Sequence, residues 1–204
     1  AGELPGSAIA GPEDGASELR VGFLCTGQGS QSPGMARGLY AALPMFRAAL
    51  DRVAAELDRW LERPIAEVMF ADSGASIHET GWTQPALFAL EWALIETWRG
   101  LGVEPCALLG HSIGELAAAC VAGVMSLADA ARLVTTRGRL MQSLPRGGAM
   151  ASIEADEASV LAAVASDFER VDLAAVNGAR QVVISGDEQA VDAIVRELAG
   201  RGVR

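Results

Sequence analysis

Apolar residues arrive in this chain either as short runs closed by glycine or as longer helical stretches, and the two kinds alternate. Residues 19–25 are a short apolar run that predicts a strand. It ends in Thr26-Gly27-Gln28-Gly29-Ser30-Gln31, a loop with two glycines and no side chain suited to a core. Pro33 and Gly34 open a helix through Tyr40, and Pro44 opens another through about Leu61. Residues 85–98 are apolar on nearly all sides and predict a buried helix, stopped by Gly100 and Gly102. Pro105 leads into an apolar strand ending at Gly110. Residues 114–121 predict a helix whose Ala117, Ala118, Ala119 and Cys120 let neighbouring backbones come close. Ser126 and Asp129 are spaced like a capping box at the start of a helix reaching about Leu144.

From Gly147 the pattern changes. Residues 149–153, 171–176 and 181–185 read as strands, and 156–166 and 187–199 as helices. Asn177-Gly178 predicts the hairpin turn, and Gly200 the last helix cap. The order β-α-β-β-α is a split-βαβ, ferredoxin-like unit short of its final strand. Residues 1–18 are rich in Gly, Pro, Ala, Ser and acids without periodicity and read as a linker. The expected organisation is therefore a linker (1–18), an α/β core (19–146) and a small α+β subdomain (147–204).

The chemistry begins where the second strand of the core ends, at Gly110-His111-Ser112-Ile113-Gly114. Small-x-Ser-x-small between a strand and a helix is the nucleophile-elbow pattern. A strained turn lifts the serine hydroxyl off the sheet and aims the next amide, that of Ile113, where an oxyanion would form. The Gly27-Gln28-Gly29 loop is built for close backbone approach and offers the Gln28 N–H as a second oxyanion donor. It matches neither a dinucleotide fingerprint nor a P-loop.

Arg137 is the second informative residue. Leu133, Val134, Leu140 and Met141 stand three and four positions from it, so its guanidinium lies on an apolar helix face. An unpaired cation there costs several kcal/mol, which calls for an anionic partner. That partner is either an internal carboxylate such as Glu115 or the carboxylate of a bound substrate, unless the side chain snorkels out to solvent. Neither histidine reads as a base for Ser112: His111 adjoins it on a strand, where side chains alternate, and His78 lies in a polar segment.

Composition narrows the classes. Half of the 204 residues are hydrophobic, and the net charge of −10 has no basic cluster beside it, which argues against nucleic acid as a partner. Cys25, Cys106 and Cys120 have no metal-ligand spacing and fall in apolar segments, so they read as buried thiols of a reducing, cytoplasmic compartment, and no metal is expected. No apolar run is long enough to cross a membrane.

Taken together, these stretches resemble the acyltransferase domains of modular polyketide synthases, relatives of the malonyl-CoA:acyl carrier protein transacylases. The matching residues are Gly27-Gln-Gly-Ser-Gln31 with Pro33-Gly-Met35, Thr83-Gln-Pro-Ala-Leu-Phe88, Gly110-His-Ser-Ile-Gly-Glu115, Arg137-Gly-Arg-Leu-Met141 and Ala175-Val-Asn-Gly178. Thr26 departs from the family, which more often has proline before the first loop glycine.

The resemblance implies an α/β-hydrolase-like large part with a ferredoxin-like subdomain. It implies that Ser112 is the acylated nucleophile, that the Gln28 and Ile113 amides form the oxyanion hole, and that Arg137, with His111, binds the substrate. Ile113 and the segment containing Trp82, Thr83 and Gln84 would set the preference for malonyl over methylmalonyl units. No bound cofactor is implied. The substrate would be malonyl-CoA, and the acceptor the phosphopantetheine thiol of an acyl carrier protein, with neighbouring synthase domains as further partners. The family's catalytic histidine follows the serine in chain order and falls beyond Arg204, so residues 1–204 alone are expected not to turn over malonyl-CoA. A serine hydrolase or thioesterase, or a non-catalytic scaffold segment, are the rival readings.

Overall fold

The computed structural model describes residues 20–145, 147–165 and 167–204; the expected linker over 1–18 lies outside them. The described chain divides into one compact unit ending at Ser143 and a second, Leu144–Arg204.

In the first unit, β1 (Val21–Cys25) and β2 (Pro105–Gly110) pair in parallel, with Leu24 opposite Leu109 and Cys25 opposite Gly110. The segment between them is helical: α1 (Arg37–Ala42), α2 (Pro44–Leu57), α3 (Ile65–Phe70) and α4 (Thr80–Gly100). After β2 come α5 (Ile113–Val121) and α6 (Leu127–Gln142). The core gathers Phe46, Leu50 and Leu57 of α2, Leu87 and Phe88 of α4, Ile113 of α5, and Val134 of α6. Phe23, Cys25 and Leu108 face this core, whereas Leu24 and Leu109 are 77% and 67% exposed on the other side of the pair. Cys106 is exposed on that short strand, which corrects the expectation of three buried thiols; Cys25 and Cys120 are buried.

Local chemistry explains several bounds. Ser126 accepts the Asp129 N–H at 3.1 Å and starts α6 as its spacing predicts. The helix expected from Pro33 begins only at Arg37, because Gly34 and Ala36 adopt positive φ and make a turn first. The helix expected to reach Leu61 stops at Leu57, where the Asp58 carboxylate turns outward to accept the Ile65 N–H at 2.7 Å and start α3. α4 starts five residues before Pro85, which lies past the first turn and so forgoes one internal bond, the one an N–H there would make to the Gly81 carbonyl.

The second unit follows the order β3 (Gly148–Ile153), α7 (Glu157–Val164), β4 (Val171–Gly178), β5 (Gln181–Asp187) and α8 (Glu188–Gly200), with strand order β3-β5-β4 and antiparallel pairing throughout. Val160, Val182, Ile184, Val191 and Ile194 fill its own core. Asp156 and Asp187 cap α7 and α8 by accepting backbone N–H groups. Two details depart from expectation. The hairpin pairs Gly178 with Gln181, so Ala179 and Arg180 form the turn and Asn177-Gly178 stays in β4. Gly200 is the last helical residue, and Gly202, at φ +81°, makes the left-handed cap.

Candidate active site

Ser112 sits at the end of β2 and caps α5 with φ 54° and ψ −114°, a backbone conformation that costs a non-glycine residue of order 1–3 kcal/mol. What enforces it is close packing. A Cβ on Gly110 would lie 2.2 Å from the Glu115 nitrogen, and one on Gly114 would lie 2.5 Å from the carbonyl oxygens of both Cys25 and Thr26. Those neighbours are backbone, so neither position accepts a larger residue. The His111 N–H donates to the Cys25 oxygen at 3.0 Å and ties the turn to β1.

The Ile113 amide opens α5. The next two amides already donate backward, Gly114 to His111 and Glu115 to Ser112, at 3.0 and 3.1 Å. The Ile113 side chain is fully buried in the core, so this position reaches the site through its N–H and not as a wall beside an acyl group.

The 26–31 loop lies against the same turn. A Cβ on Gly27 would approach His111 Nδ1 to 2.6 Å, so glycine lets the loop cross the imidazole. Within the loop the Gly29 N–H donates to Gln31 Oε1 and the Ser30 hydroxyl to the Gly27 oxygen, at 2.7 and 3.0 Å. His78 stands at the loop's far side, its Nδ1 3.3 Å from Gln31 Nε2.

Arg137 reaches the serine. Its Nη2 lies 3.4 Å from Ser112 Oγ, and its Nη1 donates to Gln84 Oε1 at 2.5 Å. Among the described residues the guanidinium forms no carboxylate pair, so the alternative of an internal partner such as Glu115 is not what the structure contains. Val134 beside it is buried, while Leu133, Leu140 and Met141 are 44%, 60% and 41% exposed. The face is therefore an open apolar rim around a half-buried cation.

The segment Trp82-Thr83-Gln84 splits three ways. Gln84 is fully buried and joins the site, donating to Thr80 Oγ1 at 2.8 Å and holding Arg137. The Thr83 hydroxyl is spent on the Ile77 carbonyl at 2.7 Å. Trp82 lies under the Arg63 guanidinium, 4.9 Å from its ring centroid, and lines a separate pocket of about 370 Å³ with Trp60, Arg139 and Gln142.

One residue of the site escapes sequence reasoning. Glu91 of α4 is 8% exposed, and its Oε1 accepts both the Thr26 N–H at 2.5 Å and the Thr26 hydroxyl at 2.8 Å. Burial raises its carboxyl above the usual carboxylate range, opposed in part by the Thr26 bonds. Thr80, Gln84 and Glu91 stand four and seven residues apart and share one stripe of α4. They hold the Gln28 side chain at 3.0 Å, Arg137, and Thr26, respectively. A glutamate within the apolar run from Pro85 to Ile95 was the available signal.

This assembly has the parts for covalent acyl transfer: a strained hydroxyl, two candidate amide donors and a fixed cation. The family model "Acyl transferase domain" matches residues 22–204. The chain is 49% identical over 193 residues to the spectinabilin polyketide synthase system protein NorB of Streptomyces orinoci, covering 93% of this chain and 9% of that protein. It is 48% identical over 200 residues to the phenolphthiocerol synthesis polyketide synthase type I Pks15/1 of Mycobacterium marinum, covering 98% and 9%. Among solved structures, the acyltransferase domain from the second module of the salinomycin polyketide synthase superposes with a TM-score of 0.86 at 51% identity, covering 91% of this chain and 43% of that one. A malonyl-transacylase solved in complex with a type II polyketide synthase acyl-carrier protein gives 0.80 at 31%, covering 91% and 60%.

The chain belongs to the acyl transferase domain family, in the group carried by polyketide synthases. Its fold is the α/β-hydrolase-like one with a ferredoxin-like subdomain, and it spans under a tenth of the length of the two curated relatives above.

Proposed function

We propose that this domain moves a malonyl unit from malonyl-CoA to the phosphopantetheine thiol of an acyl carrier protein through an ester on Ser112, with adjoining synthase domains as partners. The observation that carries the reading is the Arg137 guanidinium 3.4 Å from Ser112 Oγ. A cation that close to the nucleophile suits a diacid in which one methylene separates the reacting carbonyl from a free carboxylate. Related structures support it by what they are: a malonyl-transacylase with its acyl-carrier protein, and a malonyl CoA-acyl carrier protein transacylase from Clostridium perfringens.

In this mechanism Ser112 Oγ attacks the thioester carbon, the carbon–sulfur bond breaks, and the hydroxyl proton ends on the departing CoA sulfur, giving the malonyl ester and free CoA thiol. The Ile113 and Gln28 amides receive the developing oxyanion, and Arg137 holds the distal carboxylate in both half-reactions. His78, which sits beside Gln31, is not assigned as the proton acceptor.

The test is mass spectrometry of the Ser112 peptide after incubation of the complete polypeptide with labelled malonyl-CoA. A malonyl adduct that Ser112→Ala abolishes, and that a carrier protein thiol discharges, is the expected result. Release of free malonate without carrier points to a hydrolase, and the absence of any adduct points to a scaffold.

A further inference from the structure

Glu91 is a buried acid that the acyl-transfer scheme above does not use, and three observations give it a task. It is more than nine-tenths buried, on a helix whose other core residues are almost all apolar. One carboxylate oxygen takes both donors of a single residue, Thr26, while the other, Oε2, has no partner among the described residues; Glu91 also lines a pocket of about 200 Å³ beside β1 with Phe23, Leu94 and Trp98 among others. Thr26 is the residue through which β1 enters the loop, one position before Gly27 and two before Gln28. Burying a carboxylate with half its acceptor capacity unmet is costly, so its retention needs a compensating interaction, and the Thr26 bonds are the ones present.

We infer that Glu91 is a positioning residue for the oxyanion loop: by clamping the Thr26 backbone and hydroxyl it fixes where the Gln28 N–H points. The geometry is specific. The Cys25 and Thr26 carbonyls both lie where a Cβ on Gly114 would collide with them, so the peptide groups on either side of Thr26 are packed against α5, and the Cys25–Thr26 one is also held by Glu91 through its N–H. The Thr26 hydroxyl, whose proton goes to Glu91, also stands 2.8 Å from Ser30 Oγ. At the tip, Thr80 donates to the Gln28 side chain, so α4 grips the loop at its root and its apex along one stripe. With the root released, the Gln28 amide loses its register while Ser112, Ile113 and Arg137 keep theirs. A proline at position 26 removes both donors at once, so the clamp belongs to chains that pair a threonine there with an acid on α4.

The inference rests on the assignment of Gln28 as an oxyanion donor, and the experiment separates the two. In the complete polypeptide, single-turnover acylation of Ser112 by malonyl-CoA is measured for wild type, Glu91→Ala, Glu91→Gln and Thr26→Val. Removing one oxyanion donor slows the chemical step on the order of 10²-fold. Glu91→Ala is therefore expected to lower the maximal acylation rate about 10²-fold, with the half-saturating malonyl-CoA concentration changed less than about threefold. Glu91→Gln keeps an acceptor oxygen and is expected to stay within about threefold of wild type. Thr26→Val keeps the N–H, loses the hydroxyl, and falls between them. If Glu91→Ala does not fold, Thr26→Val and Glu91→Gln decide: both at wild-type rate, or both equally impaired, overturn the clamp. Glu91→Ala at wild-type rate, or losses shared between rate and half-saturation, overturn it as well. Wild type that never acylates overturns the functional reading instead.

Discussion

The two sheets of this protein are made from similar apolar strands, yet they treat the polypeptide differently. In the β3-β5-β4 sheet every pairing is antiparallel, the flanking helices carry aspartate caps, and the final turn is closed by a glycine with positive φ. The caps and the closing glycine are local, whereas β3 finds its partner β5 across the intervening β4. In the β1-β2 pair the order is parallel, and both strands end where chemistry gathers: a serine at φ 54°, a loop laid over a histidine, and polar side chains reaching in from α4 and α6. The lesson is that strain and buried polarity concentrate at the strand ends of one unit, while the other has none of that burden. That unit stays regular because its caps and turns satisfy the chain within a few residues.

The comparison is broken or sharpened first by glycine. Gly114→Ala places a Cβ 2.5 Å from two backbone oxygens and is expected to cost about 3 kcal/mol, read as a drop in urea midpoint. Next is the cation: Arg137→Ala should lower kcat/KM with malonyl-CoA about 10²-fold and with acetyl-CoA only about threefold. An equal loss with both substrates would make Arg137 part of the scaffold. The counterpart in the regular unit is Gly200→Ala, where the added methyl meets open space at a helix end. It should be neutral or stabilise by roughly 0.5 kcal/mol, read as a small rise in melting temperature.

The smallest effect concerns acid. Backbone N–H groups hold the Asp156 and Asp187 carboxyls below the ordinary carboxylate range. A depressed folded pKa gives stability that is present above the unfolded value and lost as pH falls through the folded one. Asp187→Ala should therefore flatten the acid limb of the melting-temperature profile below about pH 4 and leave the shape above about pH 6 unchanged. A change confined to neutral pH would contradict the cap.

How far the sequence foretold this follows the same division. The elbow was legible because Gly110 and Gly114 flank Ser112 at fixed spacing, although the Cys25 and Thr26 carbonyls that crowd Gly114 come from a distant strand end. Arg137 was legible as a misplaced charge, but its partner, Gln84, lies 53 residues away and no local pattern links them. Ile113 and Thr83 carry side chains that turn into the core or cap a backbone carbonyl, which their positions in a motif do not reveal. Glu91 was missed because two acids, Glu91 and Glu96, in a long and mostly apolar helix disturb the average little, and only the structure shows which of them is buried. The hairpin shift from Asn177-Gly178 to Ala179-Arg180 reflects strand register, which the β5 core residues Val182 and Ile184 set in preference to turn propensity.

Gly138, next to Arg137 on α6, is tightly packed: a Cβ there would meet the Thr80 carbonyl at 3.2 Å and the Gly81 Cα at 3.3 Å, where α6 passes α4, and would push the two backbones apart by a few tenths of an ångström. The gap between the guanidinium and its glutamine is thus ruled by main chain meeting main chain. For anyone re-engineering which building block the domain selects, swapping single residues along the rim leaves that gauge unchanged. A transplanted α4 would have to travel with its matching α6.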